Sequence, residues 1–404
     1  MTVTTGAPPR VGRGWVAAFV LAMTGVAAGW FGPIQILLPE QASALAGAGG
    51  GFGDVFGFGG SKESLLSLVT ACGAAASLVA TPLWGVVSDR TGARRPIMVA
   101  GIVAGAAGLA VLAGASSVPV MIVGWVVVQA GLSGPLAALG AMLADRVPEE
   151  QRGTVGALFG VAQIAGVVLG TAVAVAAGDV RLGYLALAVA VPALCASLLI
   201  LHREPAVRKT AQWTRPRLTA PFAWAWLIRF LLNLVNALLL VYLYYYLGDE
   251  VGVADPAPVV LAVTVVNVLI TAAAATLGGI LSDRLARRRV FAAAGAVVLA
   301  AGMVLLALVP LLPFVFAAAV LLGAGWGLFV AVDLAVITRV LPDAASHATM
   351  LGVANIAATL PQLLAPLLAA AIVPALGGYP VLYLLSAGIA LLALSCLPRL
   401  HTVP

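Results

Sequence analysis

GVVSDRTGARRP, residues 85–96, occurs twice in this chain. The second copy, GILSDRLARRRV, occupies 279–290, and Ser88, Asp89 and Arg90 match Ser282, Asp283 and Arg284 at an offset of 194. Each copy lies between long apolar stretches. A basic loop repeated at about half the chain length implies two related membrane halves with the same orientation. The repeat extends beyond the loops. LFGVAQIAG at 158–166 matches MLGVANIAA at 350–358 at an offset of 192, which pairs Gln163 with Asn355, and Pro148 and Pro342 share the offset of 194.

Composition points the same way. Hydrophobic residues make up 62% of the 404 and charged residues 9%, where a soluble domain carries about 25% charged. So few charges cannot cover a water-facing surface, so the solvent around most of the chain is lipid. Cys72, Cys195 and Cys396 lie in separate apolar runs and read as small hydrophobic residues. His202, His347 and His401 fall in or beside loops without metal-ligand spacing. The Gly-rich stretch at 47–60 has neither phosphate-binding glycine pattern and reads as a loop. Metal, cofactor and a nucleophile–base set are therefore not expected, and neither is an enzyme.

Twelve apolar segments, near 14–38, 64–87, 96–115, 119–144, 153–178, 181–201, 222–247, 258–281, 290–309, 313–337, 348–374 and 379–397, are long enough to span a bilayer as helices. The first follows Arg10 and Arg13 but is too long for a signal peptide and has a place in the repeat. With a cytoplasmic N-terminus, only Lys62 and Arg181 of the 21 basic residues fall outside, and Arg229 falls within segment 7. The acids Glu40, Asp54, Glu63, Asp179, Asp249, Glu250 and Asp255 fall outside. The positive-inside rule thus places both termini in the cytoplasm and the chain in the cell membrane. The net charge of +6 is a topology signal, and no nucleic-acid partner is implied. The polar stretch 202–221 divides an N-terminal six-helix bundle, 1–201, from a C-terminal one, 222–404.

At this point the chain resembles the major facilitator superfamily of secondary transporters. Gly85, Asp89, Arg90, Gly92, Arg94 and Arg95 match that family's GxLxDRxGxRR signature, and Gly279, Asp283, Arg284, Arg287 and Arg288 keep a degenerate copy. DRVPEEQRG at 145–153 is similar to its DxxPxxxRG element. The resemblance implies an all-α membrane fold of twelve helices in two pseudo-symmetric bundles, with a central cavity opening alternately to each side. It also implies that Asp89 faces the N-terminus of segment 11, where the helix dipole stabilises a carboxylate, and latches the inner gate. Gating is assigned to Gly85, Asp89, Arg90, Gly92, Arg94, Arg95, Asp283 and Arg284; the alternative for the arginines is topology alone. Gly85 suits close helix approach, Gly92 a left-handed turn and Pro96 a helix start.

Polarity separates the segments. Segments 3 and 9 lack polar side chains, whereas Gln129, Gln163, Asn233, Asn236, Asn267 and Asn355 lie near mid-depth on segments 4, 5, 7, 8 and 11. Stripes at helical spacing include Arg229, Asn233 and Asn236; Thr264, Asn267 and Thr271; Asn355, Thr359 and Gln362; Thr70, Ser77 and Thr81; and Trp125, Gln129 and Ser133. Such groups either hold helices together or line a cavity. Read as a cavity, the substrate-binding candidates are Trp30, Gln35, Gln129, Gln163, Asn233, Asn236, Asn267, Asn355 and Gln362. Carboxamides both donate and accept, which suits a neutral, hydroxyl-rich small-molecule substrate. Trp30, Trp125 and Trp326 could stack on a sugar ring or simply pack. Tyr242, Tyr244, Tyr245 and Tyr246 read as an interfacial aromatic belt.

Two charges fall inside the membrane, Arg229 and Asp333, at similar depth. They are expected to pair or to face water. Asp333 is the candidate proton carrier and Arg229 the residue that sets its affinity; a permanent ion pair is the alternative. LGVANIAATLPQ at 351–362 resembles a segment of the plant sucrose transporter and glycoside–cation symporter relatives, and GWFGPIQILLPEQ at 29–41 resembles their first helix. This implies proton-coupled sugar or glycoside symport. Proton-driven efflux of drugs or metabolites is the competing reading. Against it, Val127 stands where many proton antiporters of the family have an arginine, and GVVLGT at 166–171 lacks their proline. A non-transporting receptor or scaffold is the reading from another class.

Overall fold

The structure is a computed structural model that describes residues 10–47, 61–91, 94–201, 219–285, 287–340 and 347–400. Gly92, the polar stretch over 202–218 and most of the Gly-rich loop lie outside these residues, as does the side chain of Asp89. Among the described residues, twelve helices are long and apolar enough to cross a membrane. They are α1 Arg13–Gly47, α2 Lys62–Thr91, α3 Arg94–Ala113, α4 Val118–Arg146, α5 Glu149–Ala177, α6 Val180–Leu201, α7 Ala220–Asp249, α8 Pro256–Leu285, α9 Arg288–Leu308, α10 Leu312–Arg339, α11 His347–Ala375 and α12 Gly378–Cys396.

Local chemistry sets the helix ends. Ser61, Asp179 and Thr219 accept backbone N–H bonds from Ser64, Leu182 and Phe222 at the first turns of α2, α6 and α7, meeting donors a helix start leaves unpaired. Gly178 closes α5 at φ 63°, where a side chain would be strained. The first span continues to Gly47, past the expected 38, through a π-helical turn at Pro33–Leu37. Pro33 has no N–H to give, so the ladder loosens there without losing a donor.

The chain forms two compact units. One comprises described residues of 1–50 and 72–211, the other those of 51–71 and 212–404. The start of α2, through Ala71, therefore belongs with the second unit, and the helix joins the first from Cys72 onward.

Within the first unit α1 packs on α5 and α6, and α3 on α4 and α6; within the second α7 packs on α11 and α12, and α9 on α10 and α12. The same partners recur six helices later, as the sequence repeat requires. Small residues allow the close seams. A Cβ on Gly170 would meet the Ala28 carbonyl oxygen at 2.5 Å in the first unit, and one on Gly327 the Thr271 carbonyl oxygen at 2.5 Å in the second. Gly85 is different. Among the described residues, a Cβ there would meet nothing within 4 Å.

Candidate functional site

Arg229 on α7 and Asp333 on α10 meet inside the second unit, Nη1 to Oδ2 at 2.9 Å. Each side chain keeps about a sixth of its surface exposed, 16% and 17%. Among the described residues, Arg229 Nε is buried with no hydrogen-bond partner. Asn233, one turn on, gives its Nδ2–H to the Arg229 carbonyl oxygen at 2.8 Å and so fixes its own helix.

The other carboxamides fall into two groups. Asn267 donates to the Ala319 carbonyl oxygen at 3.2 Å, and Thr271 to that of Gly323 at 3.2 Å; these tie α8 to α10. Gln35 is buried and accepts from Thr171 at 2.7 Å, tying α1 to α5. Gln129 is buried, and beside it Ser133 shares a 2.9 Å bond with Ser77. Asn267, Thr271, Gln35 and Ser133 thus hold helices together. By contrast Gln163 on α5, and Asn355 and Gln362 on α11, are exposed. Asn236 is half-buried.

The aromatic expectations change most. Trp125 is fully buried, and a Cβ on Gly73 would lie 2.3 Å from its ring; nothing could stack on it. Trp326 leans on Phe329 at 5.4 Å. Trp30 is half-buried, with Nε1 unpartnered among the described residues. Tyr242, Tyr245 and Tyr246 are not an interfacial belt. All three are buried in the second unit: Tyr246 donates to the Leu306 carbonyl oxygen at 2.7 Å, and Tyr242 bonds Ser67 and the Pro366 carbonyl. The reason is that the end of α7 packs against the start of α2 at Tyr242 and Tyr245 and against α9 and α12 at Tyr246.

The two basic loops differ in the same terms. Arg94 is 4% exposed, donates to Ser88 Oγ at 2.6 Å and pairs with Asp145 at the end of α4. One side chain thus joins the end of α2, the start of α3 and the end of α4. Arg90 and Arg95 are exposed. In the second copy Ser282 is buried, Arg284 is exposed, and Arg288 reaches Asp283 at 3.6 Å.

One cluster has no precursor in the sequence reading. At the end of the second unit away from the basic loop, Lys62 pairs with Asp249 at 2.6 Å and lies over the Tyr245 ring at 4.9 Å. Tyr379 donates toward Asp249 at 3.1 Å and Glu63 at 3.2 Å. Each of these charges reads singly as a loop residue; only the packing of α2, α7 and α12 assembles them.

Twelve apolar spans in a repeated six-helix pattern define an integral membrane protein. The sequence profile of the Major Facilitator Superfamily matches residues 17–267 and again 225–404, and the chain belongs to that family. It is an integral membrane protein of twelve spans and a secondary transporter of small molecules, in a family of transporters and not of enzymes. The fold is similar to the solved human organic anion transporter MFSD10 (TETRAN), at 17% identity and TM-score 0.68 over 95% of this chain and 99% of that one. It is similar to the nucleoside transporter NupG at 12% identity and TM-score 0.73, covering 96% and 99%. It is similar to the peptide transporter POT at 15% identity and TM-score 0.77, covering 98% of each chain. No curated protein sequence matches the chain significantly.

Proposed function

We propose that the chain carries a neutral, hydroxyl-rich small molecule, a sugar or glycoside, by alternating access coupled to protons. The observation that carries this reading is the contrast between exposed helix faces. α6 exposes Leu182, Leu185 and Val189 and α3 exposes Val99, Val103 and Val111, side chains suited to lipid. α5 and α11 expose Gln163, Asn355 and Gln362 alongside Leu158, Val161, Ile356 and Leu368, and a carboxamide facing hydrocarbon would lose its hydrogen bonds at a cost of about 1–3 kcal/mol or more. These faces call for water and a polar ligand. Gln163, Asn355, Gln362, Asn236 and Trp30 form the core of the proposed substrate set; Gln35, Gln129, Asn233 and Asn267 support it from within the bundles.

Asp333 is the proposed proton carrier. Protonation would release it from Arg229, and Arg229 would favour the charged form between proton uptakes. Gly85, Asp89, Arg90, Gly92, Arg94 and Arg95 with Asp283 and Arg284 are proposed to gate the basic ends, which face the cytoplasm of the cell membrane in this reading. The bundles 1–201 and 222–404 would move as the two halves. Uptake of labelled sucrose and β-glucosides into proteoliposomes, with and without an inwardly acid-driven pH gradient, tests it. Accumulation only with the gradient is expected. Gradient-driven export of an organic cation, with no sugar uptake, would establish the efflux reading, and no flux of any solute would point to a receptor or scaffold.

A further inference from the structure

The starts of α7 and α9 and the turn that follows α12 meet at the basic end of the second unit. Ala225 of α7, Arg289 and Ala292 of α9, and Leu397 and Leu400 after α12 all line one small cavity there. Arg289 lies in the first turn of α9, and Arg399 in the short helical turn Leu397–Arg399. Arg399 is exposed, and its guanidinium lies over the ring of Trp224, near the start of α7, 4.5 Å from the centroid. Two arginines and a half-buried tryptophan are thus gathered where three helix ends converge.

The charge at this corner is unbalanced. Among the described residues, this end of the second unit carries Arg284, Arg287, Arg288, Arg289, Arg339 and Arg399 against one acid, Asp283, which Arg288 reaches at 3.6 Å. Asp333, farther along α10, is paired with Arg229. Among the described residues neither Arg289 nor Arg399 has an ion pair. The first unit has a similar stack, Arg146 over Trp15 at 5.4 Å, but there Trp15 is only 3% exposed, and Asp145, Glu149 and Glu150 stand among the arginines. Beside the arginines of the second unit the surface turns apolar. Val290, next to Arg289, is exposed, and so are Leu391 and Leu392, two turns before Arg399. A free inorganic anion would use the guanidinium groups and leave that apolar surface bare. An anionic phospholipid uses both, since a guanidinium fork matches phosphate oxygens and an indole suits the headgroup level.

We propose that this corner binds one anionic phospholipid. Its phosphate accepts N–H bonds from Arg289 and Arg399, Trp224 holds the Arg399 guanidinium by stacking beneath it, and the acyl chains run along the exposed faces of α9 and α12. The site is made by the second unit alone and is separate from the residues assigned to the solute.

The test is native mass spectrometry of the purified full chain with phosphatidylglycerol and phosphatidylcholine of the same acyl chains. One phosphatidylglycerol should be retained in preference to phosphatidylcholine. Arg289→Gln and Arg399→Gln should each weaken its binding about fivefold, the effect of one arginine at an anionic surface. Arg399→Lys keeps the charge but loses the planar stack and the fork, and should also weaken it. Arg13→Gln, at the basic end of the first unit, should leave it unchanged. Thermal unfolding in phosphatidylcholine shows which variants fold, and Arg399→Lys, a conservative change at an exposed residue, keeps the test decisive if a glutamine variant does not. Equal retention of the two lipids overturns the site. So does a loss in Arg13→Gln as large as in Arg399→Gln, the mark of diffuse charge, or release of the lipid by excess inorganic phosphate, the mark of a soluble-anion site.

Discussion

The two basic loops began as copies and now do different work. In the first, Arg94 is buried and closed by Ser88 and Asp145. In the second, the matching arginine is Arg288, and the place 194 residues after Asp145 holds Arg339. With Arg339 standing where the first half has Asp145, Arg288 reaches Asp283, whose side chain is 76% exposed. The acid of the second half is instead Asp333, six residues earlier on the same helix, paired with Arg229; its counterpart in the first unit is Leu139, fully buried. One half has its carboxylate at the helix end, tying three helices together. The other has it inside the span, where a charge is costly and can be put to use.

The largest effect expected from this contrast is on stability. Asp145→Ala leaves the buried Arg94 without its carboxylate and should destabilise the protein by about 3–5 kcal/mol, read as a large loss of thermal stability in lipid nanodiscs. A loss within error would mean that the first loop is no more closed than the second. Smaller and of opposite sign, Arg339→Asp restores to the second half the acid the first half has. It should raise stability by up to about 1 kcal/mol, the upper range of a surface pair, less the dipole cost of an acid at a helix C-terminus. A decrease would show that the loops differ in backbone as well as in charge. Smallest, Asp283→Asn removes an exposed contact and should change stability by less than about 0.5 kcal/mol; a multi-kcal loss would place an unrecognised tie in the second loop.

Much of this architecture could be read in the chain before the structure. Apolar runs of spanning length locate helices because lipid leaves the backbone few other choices, and the SDR loops reveal the repeat because turn and charge residues stand out in an apolar chain. The pairing of Arg229 with Asp333 was legible for a related reason: two lone charges at one depth have few partners but each other. What could not be read is which neighbour a side chain meets. Asn267 and Gln163 are both mid-depth carboxamides, yet one bonds α10 and the other is exposed. Tyr242 and Tyr246 looked like a belt because helix position alone does not reveal that α2 meets the first and α9 and α12 the second. Asp145 carried no sign of its bond to Arg94, which depends on the crossing of α2, α3 and α4.

The central claim is that the second half holds the energising pair. Asp333→Asn in proteoliposomes decides it, using whichever labelled sugar the wild type accumulates under an acid gradient. The account predicts that the variant still exchanges internal for external sugar but no longer concentrates it. Accumulation against the gradient at the wild-type level would contradict it.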